Sequence, residues 1–305
     1  MKLDGLLFIQ KFPGHTSHDV VEIVRKLIRL RRVGHTGTLD PGAGGLMVLC
    51  LGQAVRLQQF LTGMNKAYEG EIRFGFATTT YDAEGEATTE ARVVERLDLA
   101  ELNAIARRYT GEIIQSPPPY SAKRFAGKRF YELARAGLEI PKIEKRVRVQ
   151  RFIFTSVEGD RARFDIECSS GTYIRSLAHE IGHDLGPGGH LFRLCRTRIG
   201  DFSLGRAIDL EAFRALSPDQ RIQGGHYMAL QDVQLPVPQV VVDNIQIRKL
   251  MHGQPVAQYD PDFPKAHKQG VVQLVNADRQ FIGVGEIKTG EAGALVISPK
   301  VILAP

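Results

Sequence analysis

The chain has 305 residues, 43% hydrophobic and 24% charged, which is enough for one large core plus a smaller one and unlike a disordered polymer. Forty Lys and Arg against 34 Asp and Glu leave a net charge of +6, with a pI of about 9.2; this suits a polyanionic partner without requiring one. Three scattered cysteines, Cys50, Cys168 and Cys195, exclude a disulfide framework and a cysteine zinc site, and they fit a reducing cytoplasm. Residues 6–9 are too short for a signal segment, with Asp4 and Gln10 interrupting the run. No apolar stretch approaches the roughly 20 residues that span a bilayer, so no membrane association is expected.

The first predicted element is a helix over residues 17–30. Thr16 and Asp19 have capping-box spacing, and Val20, Val21, Val24, Leu27 and Ile28 recur at helical intervals. Its basic end, Arg25, Lys26, Arg29, Arg31 and Arg32, is either a solvated terminus with cations where the helix dipole favours them, or an RNA contact. Residues 68–76 alternate as a strand, with Ile72, Phe74 and Phe76 on one face. YDAEGE at 81–86 reads as a turn, 98–110 as a helix, and SPPPY at 116–120 as irregular, because three prolines lack donors. Residues 161–169 alternate again, and 173–185 read as a helix that ends at Gly-Pro-Gly-Gly, 186–189. After about residue 235 short apolar runs separated by turns predict a small all-β module. Residues 236–305 carry 7 Lys and Arg against 6 Asp and Glu, so the excess positive charge belongs mainly to residues 1–235.

Residues 34–45 read GHTGTLDPGAGG, with five glycines in twelve positions. Such density signals unusual backbone angles or close approach of another chain. No Gly-Lys-Ser/Thr follows, so it is not a phosphate-cradling loop. On chemistry alone Asp40, before Pro41, reads first as a turn residue. The segment resembles the active-site motif of the TruB-type tRNA pseudouridine synthases, in which G-H-T-G-T-L-D-P surrounds the catalytic aspartate. Further stretches match that family in order: KFPGHTS at 11–17, Lys66-Ala67-Tyr68, PPYSAKRFAGK at 118–128 and GTYIRSL at 171–177. Residues 250–286 resemble a PUA domain, a small RNA-binding β-barrel. The chain departs from the family pattern at Gln10, Phe12, Gly44 and Cys195.

The resemblance implies an α+β fold: a mixed, largely antiparallel sheet flanked by helices over 1–235, and a PUA-like β-barrel over 236–305. It implies isomerisation of uridine to pseudouridine at position 55 in the T-loop of tRNA, by base flipping and without a cofactor or metal. Asp40, Tyr68 and Arg175 are the implied catalytic residues, with Arg175 holding Asp40 ionised and Tyr68 stacking on the uracil. His35, Tyr173, Leu194, Lys11, Arg56 and Lys128 are the implied substrate-binding residues. The expected partner is the tRNA T-arm, engaged by a monomer that needs no obligate protein partner. A non-catalytic tRNA-binding protein is the rival reading, which the retained Asp40, Tyr68 and Arg175 argue against.

One further pattern competes. His179-Glu180-Ile181-Gly182-His183 matches H-E-x-x-H, which on a helix sets two imidazoles on one face beside a glutamate. Five residues are a modest signal, and His190 falls one position too late for the extended metzincin pattern. Surface histidines are the expected reading. The purified protein should therefore contain no stoichiometric zinc, and chelators should leave its activity intact; stoichiometric metal with chelator-sensitive activity would overturn this.

Overall fold

The computed structural model describes residues 3–121, 124–125, 128–130, 143–258, 269–290 and 294–303. The first helix, Ser17–Ile28, starts as its sequence dictates. The Thr16 hydroxyl accepts the Asp19 N–H at 3.1 Å, and the Asp19 carboxylate accepts the Thr16 N–H at 2.8 Å, which satisfies two orphan donors of the first turn. Val20, Val21 and Val24 are buried against the sheet. The helix stops two residues before the expected end because Arg29 turns left-handed, at φ +53°. The helix Leu99–Arg108 is capped by Asp98, which accepts the N–H groups of Ala100 and Glu101. The helix Ile174–Leu185 follows at the place its periodicity marks.

The main sheet runs, in spatial order, Ile208–Asp209, Gly5–Lys11, Gly44–Leu51, Gly189–Ile199, Lys66–Phe74, Arg161–Cys168, Lys145–Glu158 and Gly111–Gln115. Along this path neighbours are antiparallel except at two places: Gly5–Lys11 beside Ile208–Asp209, and Gly44–Leu51 beside Gly189–Ile199. The fold is thus α+β with a mixed, largely antiparallel sheet. The second parallel contact is short, with Cys195 opposite Gly44 and Arg196 opposite Gly45. Gly45 has φ +103°, and a Cβ there would lie 2.4 Å from the Arg196 backbone nitrogen, so only glycine permits this approach.

Two central strands carry no alternating signal. In Gly5–Lys11 and Gly44–Leu51 both faces are buried. Leu6, Phe8, Leu46, Val48 and Cys50 point into one cluster, and Leu7, Ile9, Met47, Leu49 and Leu51 into another, under the helices Ser17–Ile28 and Leu210–Ala215. A strand buried on both faces reads as a continuous apolar run.

The second sheet orders Gln239–Val241, Gly270–Val275, Phe281–Thr289, Leu295–Ile302 and Val256–Ala257 around Val240, Val242, Leu250, Val272, Leu274, Ile287 and Ile297. It is not all-β. A helix, Asn244–Met251, begins at a capping box between Asp243 and Gln246 and buries Leu250. Eight residues are too few for the periodic pattern to stand out beside the flanking apolar runs.

The two sheets share a core. Phe281, Val284 and Val301 pack in the same cluster as Leu6, Phe8, Leu46 and Val48. Gln273, 1% exposed, bridges the junction: its Oε1 accepts the Leu235 N–H at 2.7 Å and its Nε2 donates to the Val233 carbonyl at 3.1 Å. Arg56 donates to the Ile302 carbonyl at 2.9 Å. Among the described residues no helix is long and apolar enough to cross a membrane. Gln273→Ala would orphan two buried backbone groups at about 1–3 kcal/mol each. Urea unfolding should register a loss of that order, and an unchanged midpoint would show that the junction does not depend on Gln273.

Candidate active site

The glycine-rich loop leaves the short strand Val33–His35 and returns as Gly44–Leu51, which places Asp40 at the sheet's parallel seam. The loop is clamped from several sides. Ser17 Oγ donates to the Leu39 carbonyl at 2.9 Å and accepts the Leu39 N–H at 2.8 Å. The Ala43 N–H closes a turn on the Asp40 carbonyl at 3.0 Å. Lys11, fully buried, donates to the carbonyls of Asp40 at 3.1 Å, Pro41 at 3.0 Å and Ala43. Burial pulls its ammonium pKa down to about 8. Lys11, expected from sequence to bind substrate, instead spends its donors on the loop that carries Asp40.

Arg175, in the first turn of Ile174–Leu185 and 7% exposed, grips the Asp40 carboxylate with an ion pair and a hydrogen bond. Nε lies 2.9 Å from Oδ2, and Nη2 lies 3.3 Å from Oδ1. Nη1 reaches Asp82 Oδ2 at 3.2 Å and the Thr80 carbonyl at 3.1 Å, while Nη2 also donates to the Tyr120 carbonyl at 3.0 Å. The guanidinium thus makes three hydrogen bonds, to Asp40 and to the carbonyls of Thr80 and Tyr120, and ion pairs with both carboxylates. Asp82 was legible only as part of a turn, YDAEGE. Nothing in that turn announces that its carboxylate shares a guanidinium with residue 40.

Asp40 keeps 43% of its side chain open to a cleft, yet it is ringed by protein. The resulting desolvation raises its pKa above the ordinary carboxylate value, Arg175 opposes the rise, and Asp82 adds to it. The sequence expectation had the adjacent cation lowering this pKa. Arg175 does pull in that direction, but burial outweighs a cation divided between two carboxylates.

The cleft has a volume of about 490 Å³ and is lined by Asp40, Tyr68, Tyr173, Arg175 and Leu194 among others. Tyr68 lies on the strand Lys66–Phe74, and its phenol accepts from Arg196. Burial raises the phenol's pKa, and Arg196 opposes the rise. Arg196 itself, 1% exposed, donates to the carbonyls of Leu46 at 2.8 Å, Gly37 at 2.9 Å and Thr38 at 3.4 Å. It ties the tyrosine's strand to the loop before Asp40, a role that no spacing rule reveals. Tyr173 is fixed by buried Gln115, which accepts its N–H at 2.7 Å and donates to its carbonyl at 2.9 Å.

Neither His35 nor Arg56 lines this cleft. The Nδ1 of His35 accepts the Gly37 N–H at 3.3 Å, and burial lowers the histidine's pKa. Arg56, expected to bind substrate, is drawn to Ile302 in the C-terminal sheet, where it links the two modules. Lys128 falls in a two-residue strand, Lys128–Arg129, paired with Arg124–Phe125; its side chain lies outside the described residues. In the HEIGH segment His179 lies flat on Tyr81, with centroids 3.8 Å apart and planes at 9°. Glu180 is pushed up to about 7 by burial and by Asp184. Among the described residues no three His, Cys, Asp or Glu side chains come together as metal ligands.

Residues 25–174 match the family model of the TruB family pseudouridylate synthase N-terminal domain, and residues 238–303 match that of the pseudouridine synthase II TruB C-terminal domain. The tRNA pseudouridine synthase B of Aquifex aeolicus is 36% identical over 308 residues, covering 99% of this chain and 100% of that protein. That of Solibacter usitatus is 38% identical, covering 93% and 96%. Among solved structures, a chain of a Cbf5-Nop10-Gar1 complex superposes with a TM-score of 0.77 at 22% identity, covering 99% of this chain and 86% of that one. That likeness speaks for the fold alone. With both family models matched in order and a relative aligned end to end, this chain belongs to the TruB family of pseudouridine synthases, isomerases that convert uridine to pseudouridine.

Proposed function

We propose that this chain isomerises uridine 55 in the T-loop of tRNA, with Asp40 as the essential carboxylate. The observation that carries this reading is the Asp40–Arg175 ion pair, open to a cleft that also holds Tyr68 and Leu194. The reaction breaks the N1–C1′ bond, rotates the uracil and joins C5 to C1′; the C5 proton is then lost and N1 gains one. Atoms balance without a nucleotide or redox cofactor. The target base must leave its stack to reach the cleft. There Asp40 acts on the ribose, either by attack at C1′ or by taking the proton at C2′. Tyr68 stacks on the uracil, Leu194 and Tyr173 line its pocket, and the phenol of Tyr68 is placed to help remove the C5 proton. His35, kept neutral by burial beside the same loop, holds the RNA loop after the base departs. The 120–129 stretch, with Lys128, contacts the T-arm. A cytoplasmic tRNA-modifying enzyme is the setting we assign.

Asp40→Asn preserves shape and removes charge and basicity. The variant should keep its melting temperature and tRNA affinity while pseudouridine formation in single turnover falls by more than ~100-fold, the lower end for a positioned base. A stable variant with near wild-type turnover would sink the assignment.

The pH profile supplies a second test. Asp40 works ionised, so activity should fall as pH drops through its raised pKa. Arg175→Gln removes a group that lowers that pKa and should move the acid limb upward, besides slowing the reaction. Asp82→Asn removes a group that raises it and should move the limb downward. Limbs that stay fixed, or move together, would show that the observed titration is not that of Asp40.

A further inference from the structure

Beyond Asp40 and Tyr68 the cleft continues to a second end, lined by Thr62, Lys66, Lys145, Ser170 and Thr172. Two lysines meet there from separate strands. Lys66 opens Lys66–Phe74 opposite Cys168, and Lys145 opens Lys145–Glu158, whose Val149 pairs with the same cysteine. Lys66 is 5% exposed and donates to the carbonyls of Thr62 and Met64, each at 2.6 Å. Lys145 is exposed and donates to the Ser170 carbonyl at 3.3 Å. It lies directly over Gly171, where an added Cβ would come within 2.0 Å of its Nζ. Gly171 has φ +77°, so the backbone there both requires glycine and leaves room for the ammonium.

Among the described residues neither lysine has a carboxylate within 4.0 Å. Backbone dipoles hold them, and no counter-charge does. The carboxylate that lines the cleft, Asp40, is already engaged by Arg175 at the other end. Lys66 is further crowded by like charge: burial first, then Arg196 and Lys145, pull its pKa down to about 8. A buried cation without a counterion is costly unless an anion completes the site.

We propose that Lys66 and Lys145 form a phosphodiester subsite that takes a backbone phosphate of the RNA next to the flipped uridine. This rests on the uridine-isomerising function argued above. The geometry suits one nucleotide. Lys66 and Tyr68 are two residues apart on one strand and so face the same side about 7 Å apart. That separation is comparable with the reach from a nucleobase across its ribose to its phosphate. With the base over Tyr68, the phosphate arrives between the two ammonium groups. The site thereby supplies the negative charge that the cleft lacks, and it draws the nucleotide inward rather than merely along the surface.

The test combines a charge change in the protein with one in the RNA. Methylphosphonate, which is uncharged, replaces each linkage in turn around the target uridine of a T-arm hairpin, and binding is measured in the Asp40→Asn background so that the RNA stays unreacted. One linkage beside the uridine should weaken binding by about tenfold, the effect of one charged hydrogen bond. In Lys145→Gln the same replacement should cost much less, and the slope of affinity against salt should fall by about 0.7, the value for one contact to a single strand. Lys66→Gln should behave alike. If that buried variant melts early, Lys145→Gln, changed at an exposed position, decides alone. Effects of RNA and protein changes that simply add at every linkage would overturn the subsite. Inorganic phosphate competing as well as the hairpin does would also overturn it, since it would mark a free-anion site rather than an RNA one. Pseudouridine formation by the wild-type protein is scored separately, so failure of the proposed function and failure of this subsite give different results.

Discussion

The Arg175 guanidinium is the constraint on which the rest of the site depends. Its hydrogen bonds and ion pairs tie together three loops that are remote in sequence: the Asp40 loop, the turn carrying Thr80 and Asp82, and the proline-rich segment ending at Tyr120. None of these loops has enough secondary structure of its own to fix a carboxylate. The guanidinium sets their relative positions, because one buried cation holds two carboxylates and two carbonyls at once. The same arrangement explains why Asp40 is poised rather than inert. A carboxylate monopolised by a buried cation would be held firmly ionised and weakly basic. Dividing the cation with Asp82 leaves desolvation dominant and keeps Asp40 more basic than an exposed aspartate.

Around this centre, charge is held by backbone carbonyls as much as by opposite charge. Lys11, Lys66 and Arg196 are all buried, and each donates to carbonyls of nearby turns. Their function toward the fold is to fix loops that glycines would otherwise leave loose. Two of these cations, Lys66 and Arg196, line the cleft that holds Asp40 and Tyr68. The shared core beneath reinforces this. Because Leu6, Phe8, Leu46 and Val48 pack with Phe281, Val284 and Val301, the C-terminal sheet supports the underside of the strand that leaves the Asp40 loop. Its contribution therefore reaches the stability of the larger module, and deletion of 236–305 removes part of a shared core. The sequence, with every proposed catalytic group before residue 200, suggests a cleaner division of labour than the packing allows.

Legibility followed the physical signals. The helices at 17–28, 99–108 and 174–185 and the strands at 66–74 and 161–168 each have one buried face, so periodicity marks them. The central strands Gly5–Lys11 and Gly44–Leu51 are buried on both faces and show only apolar runs. Within the site, Asp40, Tyr68 and Arg175 were legible through motif resemblance, and chemistry alone would have left Asp40 a turn residue. Asp82 and Arg196 were not singled out, because their roles arise from contacts spanning many residues of chain: Arg175 to Asp82, and Arg196 to Gly37 and Leu46. Lys11 and Arg56, implied by resemblance to bind substrate, also have structural contacts that no motif announces: Lys11 with the carbonyls of the Asp40 loop, Arg56 with the carbonyl of Ile302.

The HEIGH segment shows how context decides between two readings of the same residues. Helical spacing does put His179 and His183 on one face, where both line a second cleft. Yet His179 lies flat on Tyr81, whose φ of +63° is costly for an aromatic residue and needs support from its surroundings. The Tyr81 carbonyl also accepts the Leu191 N–H at 3.0 Å, which pins the turn to the sheet. The next residue is Asp82, which shares Arg175 with Asp40. A ring stacked on that turn resists relaxation of the strained residue, and relaxation would carry the Asp82 carboxylate off the guanidinium. Burial lowers the pKa of His179, and the neutral imidazole it favours can stack without bringing a further cation toward Arg175. The histidine that resembles a metal ligand in sequence thus serves the turn, and through the turn the charge balance on which Asp40 depends.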